Sequence, residues 1–184
     1  QPVARDYMQE MQYCVEFAKA NRNLIINRIA NIFVKTTGCE FITVGPNYIL
    51  DVAHNYARME NHFGENVLVH RKGATSARIN ELGIIPGSQG TASYIVNGRG
   101  NPESFASGSH GAGRKMGRKE AEHILNLAEE QRKLDDKGII HSVRTTGDLD
   151  EASGAYKDID MVMQEQADLV DISVKLEPLA VIKG

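Results

Sequence analysis

The chain has 184 residues and a formal net charge of −3, from 21 Lys+Arg against 24 Asp+Glu; it is 41% hydrophobic, 24% charged and 6% aromatic. These values exclude wholesale disorder, a transmembrane span of roughly 18 or more apolar residues, and nucleic-acid binding by bulk positive charge, while leaving room for a local basic site. Two cysteines, Cys14 and Cys39, cannot build a disulfide framework, so a reducing, cytoplasmic setting and a single domain over residues 1–184 are expected.

Residues 4–33 read as one long amphipathic helix, with Met8, Met11, Val15, Ala18, Ile25, Ile29 and Ile32 at steps of three and four and Arg22 as the polar interruption. Short strands are expected at Glu40–Val44 and Tyr48–Ala53, then at Asn66–His70 and Ser93–Val96. Glycines crowd between Gly83 and Gly117, in loops too long to be idle connectors. A second amphipathic helix is expected over Lys119–Leu134, and a strand over Ile139–Arg144. A helix from Asp158 gives way near Val170 to strict alternation through Ile172, Val174 and Leu176, and Leu179–Lys183 reads as a last strand. The fold class is α+β, a mixed or antiparallel sheet flanked by amphipathic helices.

Of six histidines, two have unusual surroundings. His110 lies in Ser107-Gly108-Ser109-His110-Gly111-Ala112-Gly113-Arg114. Small neighbours let a large ligand approach the imidazole, the loop amides can converge on an anion, and Arg114 offers a planar fork for phosphate oxygens. A neutral imidazole can act as a nucleophile near neutral pH. The plainer alternative is a flexible loop with an incidental histidine. The glycines of this loop do not make a dinucleotide fingerprint, because no apolar strand precedes them. His54, after Leu50-Asp51-Val52-Ala53 and before Asn55-Tyr56, reads either as a metal or ligand contact or as a satisfied, half-buried histidine. His62, His70, His123 and His141 read as solvated surface. The tight turn Ile84-Ile85-Pro86-Gly87-Ser88-Gln89-Gly90, followed by Ser93, could offer amides and hydroxyls to phosphate or sugar, and Arg71-Lys72-Gly73 adds local positive charge.

Taken in order, Asp51-Val-Ala-His54-Asn55-Tyr56, His70-Arg-Lys-Gly73-Ala74, Ile85-Pro-Gly-Ser88-Gln-Gly90, Gly100-Asn-Pro-Glu-Ser-Phe105, Ser109-His110-Gly-Ala-Gly-Arg114, Ala155-Tyr156-Lys-Asp-Ile-Asp160 and the terminal Ile182-Lys183-Gly184 resemble the RtcB-type RNA ligases over nearly the whole chain. The resemblance implies joining of an RNA 3′-phosphate or 2′,3′-cyclic phosphate end to a 5′-hydroxyl end with GTP and Mn²⁺. It implies that His110 attacks the α-phosphate of GTP and carries GMP, and that His54 ligates Mn²⁺. It further implies that Asn55, the turn Pro86, Gly87, Ser88 and Gln89, Ser93, the loop His110, Gly111, Ala112, Gly113 and Arg114, and Lys183 hold the guanylate, with Tyr156 near the base. RNA would be gripped along Arg71, Lys72, Arg114 and Arg118.

Two departures go with the resemblance. Gly117 stands where the family usually carries serine. The family's further metal ligands, an Asp and a Cys in an Asp-x-x-Cys motif and two more histidines, lie upstream of the opening helix together with an Asn-His segment, and this sequence has none of them. The chain is therefore expected to be roughly the C-terminal half of such an enzyme, with the absent half or a partner chain supplying metal ligands. The alternative is a non-catalytic remnant that binds a guanine nucleotide or an RNA end.

Overall fold

The computed structural model describes residues 2–39 and 50–182, which fall into two compact units, Gln1–Lys72 and Gly73–Gly184. The architecture is α+β.

In the first unit, α1 (Pro2–Thr37) is an unbroken helix of 36 residues. Proline stands at its start, where no amide bond is lost, and no glycine or further proline follows. Thr36 and Thr37 fold their hydroxyls back onto the carbonyls of Ile32 and Phe33, 2.8 Å each, as the helix ends. The expected stripe is half-buried from Met8 to Arg22, whereas Ile25, Ile29 and Ile32 stand exposed. Arg22 is no accident in that stripe: its guanidinium forks onto Asp51 at 2.5 and 3.0 Å.

Two strands follow, β1 (Asn55–His62) and β2 (Glu65–Lys72), paired antiparallel from Asn55↔Lys72 to His62↔Glu65. Phe63 and Gly64 both take positive φ (54° and 83°) between them, the two-residue turn whose twist suits a hairpin. The strand expected at Tyr48–Ala53 is corrected where it can be seen: residues 50–53 are irregular and the strand begins at Asn55. The strand expected at Glu40–Val44 lies outside the described residues. What holds the hairpin is ionic. Arg71 and Glu60, both buried, form a two-pronged pair at 2.6 and 3.0 Å.

The second unit opens with β3 (Ala74–Ser76), β4 (Leu82–Ile85), β5 (Ser93–Gly98) and β6 (Ser107–Ser109). It continues through α2 (Arg118–Ile124), α3 (Leu127–Asp135), β7 (Ile140–His141), α4 (Ile159–Glu165), β8 (Val170–Leu176) and β9 (Ala180–Val181). The main sheet has the antiparallel order β4-β5-β8, β3 pairs with β6, and β7 runs parallel to β9. The expected helix over Lys119–Leu134 is two helices. Leu125 turns extended, and the Asn126 side chain accepts from the Glu129 amide to start α3 afresh. The strand expected over Ile139–Arg144 shortens to two residues because Val143, 1% exposed, turns inward to pack with Leu134, Ile139, Leu149 and Ala152. The expected helix from Asp158 stops at Glu165, ahead of the strand at Val170.

The larger core joins Ile85, Tyr94 and Val96 of the sheet to Ile159 and Met163 of α4, and it includes Ala112. Along β8 only Val170 is buried; Ile172, Val174 and Leu176 are 53%, 44% and 42% exposed. An alternating apolar row of this kind, at the edge of a sheet, is a surface that associates in water. The isolated chain should therefore self-associate, its sedimentation-velocity mass rising with concentration, and Ile172→Lys/Val174→Glu should restore a monomer. A wild-type chain that stays monodisperse and monomeric at high concentration would show that these side chains do not drive contact.

Candidate functional site

In the second unit the two glycine-containing segments meet. β4 runs into the turn Pro86–Gly90 and β6 runs into the His110 loop; the Ala112 amide donates to the Pro86 carbonyl at 3.2 Å. At Gly111 a Cβ would come within 3.1 Å of that same carbonyl, so the smallest residue is what lets the two segments lie together. Pairing of β3 with β6 sets Ala74 opposite Ser109, which brings Gly73 beside the histidine: a Cβ on Gly73 would sit 3.7 Å from His110 Nε2. The ring is half-buried and is not enclosed in the apolar core.

Around the loop, hydrogen bonds fix each neighbour. Ser109 donates its amide to Gln166 Oε1 at 2.9 Å and its hydroxyl to the Gly111 carbonyl at 2.5 Å. In the turn, the Gly87 amide donates to Ser93 Oγ at 3.3 Å and the Ser88 amide to Thr91 Oγ1 at 2.6 Å. Gln89 bonds through its side chain to the Asp148 carbonyl, 3.2 Å, and through its amide to the Glu151 carbonyl, 3.3 Å. Gly87, Ser88, Gln89 and Ser93 together line an open groove of about 530 Å³, shared with Glu151 and with residues of β8, β9 and the segment between them. Hydroxyls, amides and a carboxylate in one groove suit a ligand with both phosphate oxygens and ring N–H donors.

Arg114 and Tyr156 form an isolated antiparallel bridge. The guanidinium lies over the ring at 4.9 Å, donates to Tyr156 Oη at 2.9 Å, and approaches Glu151 at 3.3 Å. It also donates to the Asp150 carbonyl, and Tyr156 Oη donates to the Glu151 carboxylate. Burial, then the Glu151 charge beside it, push the Tyr156 hydroxyl above its ordinary pKa, so it stays protonated and donating. Tyr156 does not line the groove of the Pro86 turn; it lines a neighbouring one. Three residues that no motif had marked are central here. Glu151 ties together Arg114, Tyr156 and the Gln89 backbone, Thr91 holds the turn, and buried Gln166 holds Ser109. The sequence marked the last only as a glutamine lying between the apolar Met163 and Val170.

In the first unit, Asp51 is tied to α1 by Arg22, and the next residues bring His54 and Asn55 to a cavity of about 220 Å³ that they share with Met11, Cys14, Val15 and Arg22. His54 is exposed. Among the described residues no group of three or more His, Cys, Asp or Glu side chains could hold a metal. His54 therefore fits a Mn²⁺ site only as one donor among others that these residues do not provide. Lys183 lies outside the described residues. Gly117 is exposed, with nothing within 4 Å of an added Cβ, so a serine would fit there without displacing anything. Two histidines read as solvated are instead largely covered: the side chains of His62 and His141 are 10% and 7% exposed, each beside a carboxylate, Glu60 at 2.9 Å and Asp135 at 3.1 Å.

The arrangement is that of a histidine loop docked on a hydroxyl-rich turn, a frame suited to handling phosphate. A family model described as "tRNA-splicing ligase RtcB" matches residues 1–184, and the chain belongs to the RtcB family. It is 37% identical to the RNA-splicing ligase RtcB of Escherichia coli K12, over 97% of this chain and 44% of that protein. It is 36% identical to the tRNA-splicing ligase RtcB of Nanoarchaeum equitans (98% and 43%) and 35% identical to RtcB homolog 1 of Entamoeba dispar (100% and 38%). The chain thus spans less than half the length of these curated relatives. No helix among the described residues is long and apolar enough to cross a membrane.

Proposed function

We propose that this chain is part of a cytoplasmic GTP-dependent RNA ligase that joins RNA 3′-phosphate or 2′,3′-cyclic phosphate ends to 5′-hydroxyl ends. The observation that carries the reading is the docking of the His110 loop on the Pro86 turn, through the Ala112 amide and the Pro86 carbonyl. It leaves a half-buried imidazole beside backbone without a side chain at Gly73. His110 attacks the α-phosphorus of GTP; an N–P bond forms, the α–β P–O bond breaks and pyrophosphate leaves. A 2′,3′-cyclic end is first opened by water to the 3′-phosphate; a 3′-phosphate oxygen then takes the GMP as the N–P bond breaks, and the 5′-hydroxyl attacks the 3′-phosphorus, releasing GMP. The turn amides, Ser88 and Ser93 take phosphate and ribose oxygens, Arg114 and Tyr156 brace the loop, and Lys183 adds a positive charge to the nucleotide. Manganese, for which His54 is one ligand, neutralises phosphate charge when bound, its other donors coming from polypeptide outside this chain.

The test is covalent labelling. The chain is incubated with α-labelled GTP and Mn²⁺, alone and with the remainder of an RtcB ligase added, and acid-labile label on the protein is measured. Label should appear with the remainder present and be lost in His110→Ala. Label retained in His110→Ala would remove the histidine from the chemistry. The lack of a three-donor metal group among the described residues favours one other reading, a partner-dependent module that binds a guanine nucleotide or an RNA end without reacting. No label under either condition, with nucleotide binding intact, would select it.

A further inference from the structure

Of the four cations expected to grip RNA, the three arginines are already engaged. Arg71 is buried against Glu60; Arg114 is held by Tyr156, Glu151 and the Asp150 carbonyl; Arg118 faces Glu151 at 3.2 Å. A polyanion needs charge that is not neutralised at home. We infer that RNA is held instead in a groove of the second unit lined by Lys115, Lys137, Lys157 and Lys175, with its phosphodiester backbone on Lys115 and Lys157. The inference rests on the RNA-ligase reading and names where its substrate lies.

Four lysines from four separate segments converge there, in a chain whose net charge is −3, around an open space of about 450 Å³. Three carboxylates share the lining, but each is engaged within the chain. Asp158 accepts from the amides of Asp160 and Met161 at the start of α4, Asp160 takes the Tyr94 hydroxyl and Lys175 (3.2 Å), and Glu177 lies 3.8 Å from Lys175. Lys137 donates to the Gly90 carbonyl at 2.6 Å. Lys115 and Lys157 are exposed and their ammonium groups have no partner among the described residues.

Their backbones explain why these two matter most. Lys115 donates its amide to the Ala155 carbonyl at 2.8 Å and Lys157 donates to the Gly113 carbonyl at 2.9 Å, on either side of the Arg114–Tyr156 bridge. Each lysine is thus fastened to the loop that carries His110. Tyr156 forms part of the lining, adding aromatic surface to the basic groove, the pairing that single-stranded nucleic acid favours. A strand held on these lysines runs along the loop whose histidine handles the phosphate.

The experiment uses the 184-residue chain and a 3′-phosphorylated single-stranded RNA 12-mer, followed by fluorescence anisotropy across a salt series. Lys115→Glu/Lys157→Glu should weaken binding at least tenfold and lower the slope of log K against log salt by about 1.4, at roughly 0.7 per contact on a single strand. Lys19→Glu/Lys35→Glu on α1 changes net charge equally and should leave affinity within about twofold of wild type. Equal loss in both variants, no loss in the first, or no RNA binding by wild type overturns the groove. So does displacement of RNA by equimolar GTP with loss of GTP affinity in the first variant, since the groove would then belong to the nucleotide. GTP labelling of both variants with the added remainder separates the two readings: label with no groove effect sinks only the groove, whereas RNA lost from the groove variant without label in wild type sinks only the ligase chemistry.

Discussion

Arg71→Ala should cost the hairpin unit about 3–5 kcal/mol, the range found when one partner of a buried ion pair is deleted. The side chains of Arg71 and Glu60 are each 1% exposed, so removal takes the two-pronged partner from a carboxylate held out of water, leaving Arg58, at 3.0 Å and 41% exposed, and His62 at 2.9 Å beside it. The hydrogen bond from Arg71 is the largest influence holding the Glu60 carboxyl well below the ordinary carboxylate range, against desolvation, with His62 and Arg58 adding to it. The sign follows. In the wild type this contribution is complete above the unfolded carboxylate pKa and is lost as pH falls through the ordinary range toward the depressed folded value. In Arg71→Ala the desolvated carboxyl moves upward, so the variant's deficit should shrink as pH is lowered from 8 to 4. Urea unfolding followed by tyrosine emission reads both effects, since the chain has no tryptophan and Tyr56 lies 5.7 Å from the Arg71 guanidinium. Arg71→Met/Glu60→Leu should recover most of the loss. A cost below about 1 kcal/mol, or a deficit independent of pH, would show that the pair is not what holds the hairpin.

The same pair explains what the sequence concealed. A strand announces itself through alternating apolar residues, and β1, with Arg58, Glu60 and His62, carries charge instead. Glu60 is buried only because Arg71, on the neighbouring strand, meets it. A partner supplied by strand pairing leaves no periodic mark. Where the apolar period is local the reading succeeded, whether or not the row is buried: β5, the β8 alternation and α1 from 4 to 33 could be read directly. The long helix after Gly117 failed for a local reason that was in view, because Asn126 followed by Glu129 is a helix start lying inside a helical pattern.

At the site, runs of small residues marked the His110 loop and the Pro86 turn as candidates while leaving an incidental histidine open, and the family resemblance supplied their expected roles. That they dock on one another was not legible: the bond from Ala112 to Pro86 joins segments brought together by separate strand pairings. Glu151 was hidden for the same reason. It belongs to no motif and gains its importance largely from partners distant in sequence, Gln89 and Arg114, so only the folded chain identifies it.

The docking also sets the second large effect. Gly87→Ala should lower stability by about 2–3 kcal/mol, an overpacking cost, and reduce labelling of His110 roughly a hundredfold, the loss that follows when reacting groups shift by about an ångström. A Cβ at Gly87 would lie 2.2 Å from the Ala92 carbonyl oxygen and 2.4 Å from Thr91 Oγ1. The first is backbone of a buried residue and cannot swing aside; the second is the hydroxyl that takes the Ser88 amide. The turn must open, and with it moves Pro86, whose carbonyl holds the Ala112 amide. Gly117→Ser is the control, an exposed glycine with nothing within 4 Å of its added Cβ, at the start of α2 where serine is favoured, and it should leave both stability and labelling nearly unchanged. Urea midpoints and label yield per protein, measured with the remainder of the ligase present, separate the two consequences. If Gly87→Ala were destabilised yet labelled at the wild-type rate, the turn would be a structural support without a part in placing the histidine.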